Sequence, residues 1–390
     1  LLPGAGIVAM ALSSRAAMTA ASPLFGPLRA ELGFTTAMTV GYSAAAPLMF
    51  AAVGIVLGLF VEVRRPDILA AGALLLIAIA LTIRSSASTG SMFLAATLAA
   101  LAGMGVVNVA LPPLARAWFP HAIARVTAVY AAVIALSSAL PPIVSSLLAD
   151  AGWRTALLPW TAVALLGAVP LLLLVLLSRR GWSTHVAPEH APLPRGDQRA
   201  MVRHALRIGV VFGMSAGNAF ALFVWLPTLA HHALGLDDRA AAVLLAVYSA
   251  MALPVAVLTP WLVSRVRRPE IVGTVGTLCL CLGGVVLPLV PPPLAIPAAI
   301  VAGAGQCLYP LCLIVIARAP ASLGPATALS SLGQGIGYLV GALVAVVMTV
   351  MIASTGSWTV TMLATAALTA CGYPVMLALI CGHRDEHAGS

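Results

Sequence analysis

The chain has 390 residues, of which 61% are hydrophobic and only 8% charged, and its mean hydropathy is +1.07. No water-soluble core needs that much apolar side chain, so a soluble fold is excluded and a polytopic membrane protein is expected. The net charge of +9 would on its own point to a polyanion, but the placement of the charges gives it another meaning.

Apolar runs of about 20 residues read as membrane-crossing helices. They predict an all-α protein with twelve spans, at 2–25, 37–61, 66–84, 91–113, 122–149 and 153–178, then 206–230, 240–263, 270–290, 294–317, 326–352 and 357–381. All 20 basic residues are arginine. With a cytoplasmic N-terminus, 15 of them fall in inside loops or the tail, including Arg64, Arg65 and Arg116, while Arg29, Arg84, Arg154 and Arg239 fall outside and Arg15 lies within a span. This is the positive-inside pattern, which puts both termini in the cytoplasm and explains the charge as topology rather than nucleic-acid binding. No signal-peptide pattern precedes span 1. The chain starts at Leu1 without a methionine, so a short N-terminal piece is expected to be missing.

Span 1 carries the most informative residue. A charge at bilayer depth costs about 2.5–3.5 kcal/mol, so Arg15 should face a wet cavity, a partner or a substrate. On a continuous helix Thr19 lies one turn on and Ser22 nearly another, and the three form one polar face. A guanidinium is a planar, permanently charged donor that suits a carboxylate or similar small anion. At about 4 Å and an effective dielectric near 20 the pair gains roughly 4 kcal/mol before desolvation. The alternative is a scaffolding arginine that bonds backbone carbonyls.

Asn108 in span 4, Asn218 in span 7, Gln306 in span 10 and Gln334 in span 11 are amides at depths where an unmet polar group is expensive. Each binds a solute or ties two helices together. Tyr130, Trp225 and Tyr309 are candidate aromatic walls. Trp225, two residues before Pro227, is either an outer gate or an interfacial anchor. Tyr42 and Tyr248 occupy matching places in spans 2 and 8 and read as packing or outer gating. Pro112, Pro113, Pro141 and Pro142 should kink or end spans 4 and 5, and Gly333, Gly337 and Gly341 mark a close packing face on span 11.

Six cysteines sit in the spans without a metal-ligand spacing, so no metal and no cofactor are expected. All 11 acids and 8 histidines lie in loops, tails or span ends. A carboxylate proton relay is therefore not expected, which leaves facilitated diffusion, exchange or movement with the anion gradient. No nucleophile, acid and base set lies within the spans, which argues against a membrane enzyme.

Residues 1–178 and 206–382 read as two six-helix bundles, joined by a polar cytoplasmic linker at 179–205 and followed by a tail at 383–390. The halves repeat one another: AGMGVVNVALPPLARAWFP at 102–120 aligns without a gap on AGAGQCLYPLCLIVIARAP at 302–320, and RRPDI at 64–68 matches RRPEI at 267–271. An even number of spans per half gives repeats of the same orientation, related by an axis along the membrane normal.

In this arrangement the whole chain resembles the major facilitator superfamily. Gly58, Glu62, Arg64 and Arg65 occupy the place of that superfamily's Gly-x-x-x-Asp-x-x-Gly-Arg-Arg loop, although the second glycine is absent. The resemblance implies that Glu62, Arg64, Arg65 and Arg116 latch one side of the two halves, and that spans 1, 4, 7 and 10 line a central cavity. Arg15 with Ser22, Pro23 and Leu24, then TAVYAA at 127, WLPTLAHHALGL at 225 and LGQGIGYLVGAL at 332, further resemble the cyanate and 2-nitroimidazole transporter subfamily. This implies a monomer in a bacterial inner membrane that moves a small anion or polar solute by alternating access. A drug or antimicrobial exporter is the competing transport function, although ALSSALPPIVSS at 135–146 lacks the glycines of the exporter signature in span 5. A membrane sensor that binds without transporting is the competing function of another class.

Overall fold

The computed structural model describes residues 2–59, 65–178, 198–319 and 326–388, and every regular element among them is helical. In lipid, backbone donors and acceptors have no water to bond, so an apolar chain that crosses the membrane repeatedly satisfies them within helices. The elements are α1 (Leu2–Leu12), α2 (Ala16–Thr19), α3 (Phe25–Leu32), α4 (Thr36–Leu59), α5 (Pro66–Ser85), α6 (Gly90–Trp118), α7 (Ile123–Leu147), α8 (Trp153–Ser178) and α9 (Gln198–Leu234). They continue with α10 (Asp238–Ala250), α11 (Ala252–Arg265), α12 (Glu270–Val286), α13 (Ala295–Ala304), α14 (Leu308–Ala317), α15 (Ala326–Thr355), α16 (Trp358–Cys371) and α17 (Tyr373–Ala388).

Among the described residues eleven stretches are long and apolar enough to cross a membrane, and the remaining expected span, the ninth, corresponds to the 17-residue α12. Span 1 comprises α1 to α3, span 8 α10 and α11, span 10 α13 and α14, and span 12 α16 and α17. Side chains cap helix starts where the sequence offers them: Thr89 accepts from the Met92 amide at 3.2 Å, and Ser357 from the Val360 amide at 3.3 Å, each satisfying a donor with no partner inside its helix. Gly33 and Gly235 close α3 and α9 at φ of 62° and 64°, a left-handed conformation that glycine adopts without a Cβ penalty.

The chain divides into two compact units: Leu1–Pro188 with Asp238–Ala246, and Glu189–Asp237 with Val247–Ser390. In the first unit α5 packs against both α6 and α8. On α8 the buried residues Trp153, Leu157, Trp160, Ala164, Ala168 and Leu171 recur at helical spacing, while Leu158, Leu165, Leu166, Leu173 and Leu176 are exposed. An apolar helix with leucines on its outer face has lipid, not water, as its solvent.

In the second unit the dominant pair is α9 with α15. Gly333, Gly337 and Gly341 form a close packing face on α15, as their spacing predicts, and they meet a second row, Gly209, Gly213 and Gly217, on α9. A Cβ at Gly213 would stand 2.7 Å from the Gly337 carbonyl oxygen, and one at Gly217 would stand 3.0 Å from the Gly341 Cα. Backbone contact of this kind maximises dispersion where lipid removes the hydrophobic drive for helices to associate.

Pro112 and Pro113 lie inside α6, and Pro141 and Pro142 inside α7. They end neither helix. The interruptions fall in spans 1, 8, 10 and 12, at residues 13–15 and 20–24, at Met251, at 305–307 and at Gly372.

Candidate functional site

Span 1 is not the continuous helix expected around Arg15. Its α-helix stops at Leu12, resumes for one turn at Ala16–Thr19, and passes through a 3-10 turn at Ser22–Leu24. Ser14 Oγ donates to the Ala11 carbonyl at 2.7 Å and lies 3.4 Å from Ser137 Oγ on α7. Short hydroxyl side chains offer the backbone such alternatives, which explains an interruption without proline. Arg15 stands at the N-cap of α2 with φ −135° and ψ −16°. Its backbone carbonyl accepts from the Met18 amide at 3.1 Å. The half-buried side chain lays its guanidinium carbon 5.0 Å from the centre of the Phe50 ring on α4. This cation–π arrangement suits the broad, weakly hydrated guanidinium.

Arg15 and Thr19 stay one helical turn apart, as N-cap and last residue of α2, while Ser22 belongs to the following 3-10 turn. Ser22 Oγ donates to the Met18 carbonyl at 3.4 Å, so that hydroxyl serves the backbone. Thr19 is fully buried, and its hydroxyl has no hydrogen-bond partner among the described residues. Asn108, half-buried on α6, has a side-chain nitrogen in the same situation. Buried donors left unmet cost about 1–3 kcal/mol each, so groups of this kind are poised for a ligand or a water. Tyr130 is half-buried on α7.

The candidates of the second unit mostly hold helices together. Asn218 Nδ2 donates to the Met214 carbonyl and to Thr369 Oγ1 on α16, both at 2.8 Å. Trp225 Nε1 donates to Thr349 Oγ1 on α15 at 2.9 Å, and its ring meets Trp358 edge-on at 6.0 Å. Gln334 Nε2 donates to Ser330 Oγ on its own helix at 2.8 Å. Gln306, in the 3-10 turn between α13 and α14, donates to the Tyr248 carbonyl at 3.1 Å, beside the interruption of span 8. Tyr309 keeps 42% of its surface exposed with its ring 5.3 Å from Phe212, and Tyr338 meets the same Phe212 edge-on at 4.9 Å.

Of the expected latch residues, Glu62 and Arg64 lie outside the described residues. Arg65, at the N-cap of α5, grips Asp67 with Nε at 3.0 Å and Nη2 at 2.7 Å. That bond raises the Arg65 guanidinium above its usual range. Arg116 is exposed in the last turn of α6.

Arg84 is the residue that sequence reasoning misplaced. Its position at the end of span 3 reads as an outer-loop charge, yet it is 0% exposed. Nη1 donates to the Ala17 carbonyl in the interrupted part of span 1 at 2.5 Å, and the guanidinium carbon lies 5.5 Å from the Phe93 ring centre. Tyr42 donates to the next carbonyl, that of Met18, at 3.3 Å. The available signal was the short connection, only Ser86–Thr89, before α6 begins. It leaves Arg84 close enough to the helix packing for its long side chain to fold inward.

The profile of the family described as "Major Facilitator Superfamily" matches residues 7–339. No curated protein matches the chain. Among solved structures, a POT family transporter in complex with a thioalcohol-conjugated peptide has a TM-score of 0.77 at 12% identity, covering 98% of this chain and 96% of that one. A point mutant of the nucleoside transporter NupG has a TM-score of 0.72 at 16% identity, covering 97% and 100%. A D-xylose–proton symporter has a TM-score of 0.72 at 14% identity, covering 97% and 96%. At these identities the likeness establishes the fold.

Proposed function

Because the chain belongs to the major facilitator superfamily, we propose that this multi-pass transporter carries a small anion or small polar solute by alternating access, with Arg15 as the cation that receives it. The solved relatives are named for a peptide conjugate, a nucleoside and a sugar, so the fold leaves the cargo open. One observation carries the reading: span 1 breaks at Arg15, and one turn along the same short helix Thr19 holds a buried hydroxyl with no hydrogen-bond partner among the described residues. A broken transmembrane helix at a charged residue is where transporters place binding groups, because irregular backbone at membrane depth is tolerated where it lines a cavity.

In this reading Asn108, Tyr130, Asn218, Trp225, Gln306, Tyr309 and Gln334 are the further candidates to meet the solute, and Glu62, Arg64, Arg65 and Arg116 are the candidates for gating. The cargo is cyanate-like, carboxylate or nitroimidazole-like, and the protein works as a monomer in a bacterial inner membrane with both termini in the cytoplasm. Flux of small anions and neutral azoles into proteoliposomes tests it. Arg15→Ala is expected to lower anion flux at least about tenfold, the loss of one charge-assisted contact, with Arg15→Lys intermediate. Equal anion flux in Arg15→Ala and the parent would refute the assignment.

A further inference from the structure

We infer that Arg84 is a positioning residue of this transporter: it holds the interrupted turn of span 1 in the shape that presents Arg15. The backbone of that turn lies among apolar neighbours. Ala16, Ala17, Met18, Thr19, Ala20 and Ala21 are each at most 3% exposed. A broken helix at this depth has carbonyls that need donors from somewhere other than its own ladder. Two neighbouring spans supply them. Arg84 at the end of α5 bonds the Ala17 carbonyl, and Tyr42 of α4 bonds the Met18 carbonyl, two and three residues beyond Arg15.

The surroundings of Arg84 fit this role better than that of a topology anchor. Its guanidinium packs on Phe93, in a cluster where Phe93 also meets Phe34 at 5.7 Å and Trp153 at 6.0 Å, and Tyr42 meets Phe25 at 5.0 Å. Aromatic faces accept a guanidinium without a carboxylate. Nε and Nη2 have no hydrogen-bond partner among the described residues, and the bond that Nη1 makes goes to span 1. A charged donor kept in apolar surroundings for one backbone carbonyl is a clamp on that carbonyl. Its release frees the turn that carries Arg15, which is why the clamp bears on transport. That last step rests on the role proposed for Arg15, whereas the clamp itself does not.

Amide hydrogen exchange in peptides covering residues 13–24 tests the clamp without any substrate. Arg84→Gln is expected to raise exchange there about tenfold or more, while peptides of α9 stay unchanged, because opening of a locally held segment is read separately from global unfolding. Arg84→Lys, which keeps a charged donor but loses the planar group that stacks on Phe93, is expected to fall between the parent and Arg84→Gln. Tyr42→Phe, which removes only the Met18 bond, should raise exchange in the same peptides and carries the test if Arg84→Gln does not fold. Unchanged exchange at 13–24 in Arg84→Gln, or in Tyr42→Phe where that variant carries the test, overturns the inference. So does an Arg84→Lys variant that exchanges as fast as Arg84→Gln. An Arg15→Ala variant that transports anions normally refutes the proposed cargo site and leaves the exchange result to decide the clamp.

Discussion

Arg15 and Arg84 show how much the meaning of a charge depends on what surrounds it. Both are arginines of span-forming sequence, and both lean on a phenylalanine ring. Arg15 was legible because it lies far from either end of an apolar run. Arg84 was not, because a charge at the end of a run is the ordinary topology signal, and only the tertiary fold shows its side chain reaching inward to the Ala17 carbonyl. Amides divide in the same way. Asn218 looked equally able to meet a solute or a neighbouring helix, and the structure gives both of its nitrogen's bonds to protein acceptors. Thr369→Val, which removes one of those acceptors and keeps the volume, is expected to cost about 0.5–1.5 kcal/mol of stability. Thermal denaturation in detergent should show this as a modest fall in midpoint, with transport retained.

Among the helices, the clearest sequence signal was the four-residue glycine rhythm of α15. It was complete only once its partner row on α9 came into view. Glycines four apart define a flat stripe in any helix, but whether two stripes meet is settled by how the chain folds back. Gly213→Val would drive its side chain against the Gly337 carbonyl and Val340. Overpacking of this sort costs about 1–3 kcal/mol, so a clearly lower melting midpoint is expected, and a neutral effect would mean that the two helices sit farther apart. Span limits were read within a few residues in most cases, with α9 extending to 198 and 234 where the apolar run alone ends at 206 and 230. Hydropathy marks the part of a helix that lipid covers, and the backbone ladder continues past it. The interruptions escaped sequence reading: the proline pairs stay inside α6 and α7, while span 1 breaks first at serines and again at the turn that holds Pro23.

At the scale of the whole molecule, the family fixes a transporter rather than an enzyme. The proposed energetics follow from where the acids lie. Asp67 is buried, but it sits in the first turn of α5 and holds Arg65, and Glu31 accepts from Trp153 Nε1 at 2.6 Å and pairs with Arg154. Both carboxylates serve packing and ion pairing near helix ends. Uptake is accordingly expected to follow the solute gradient without an obligatory inward proton flow. Proteoliposomes with imposed pH gradients check this, and strict proton dependence abolished by replacing a single acid would contradict it.

The order of residues alone establishes that the chain lives in a membrane and that it crosses it about a dozen times as helices. Those properties follow from one-dimensional quantities, the length of apolar runs and the spacing of arginines, which the bilayer reads directly. Tertiary structure decided where the helices break, which glycine rows interlock, and which polar groups meet each other. A hydrogen bond such as that from Arg84 to the Ala17 carbonyl joins residues 67 positions apart, and no local pattern encodes a partner at that distance.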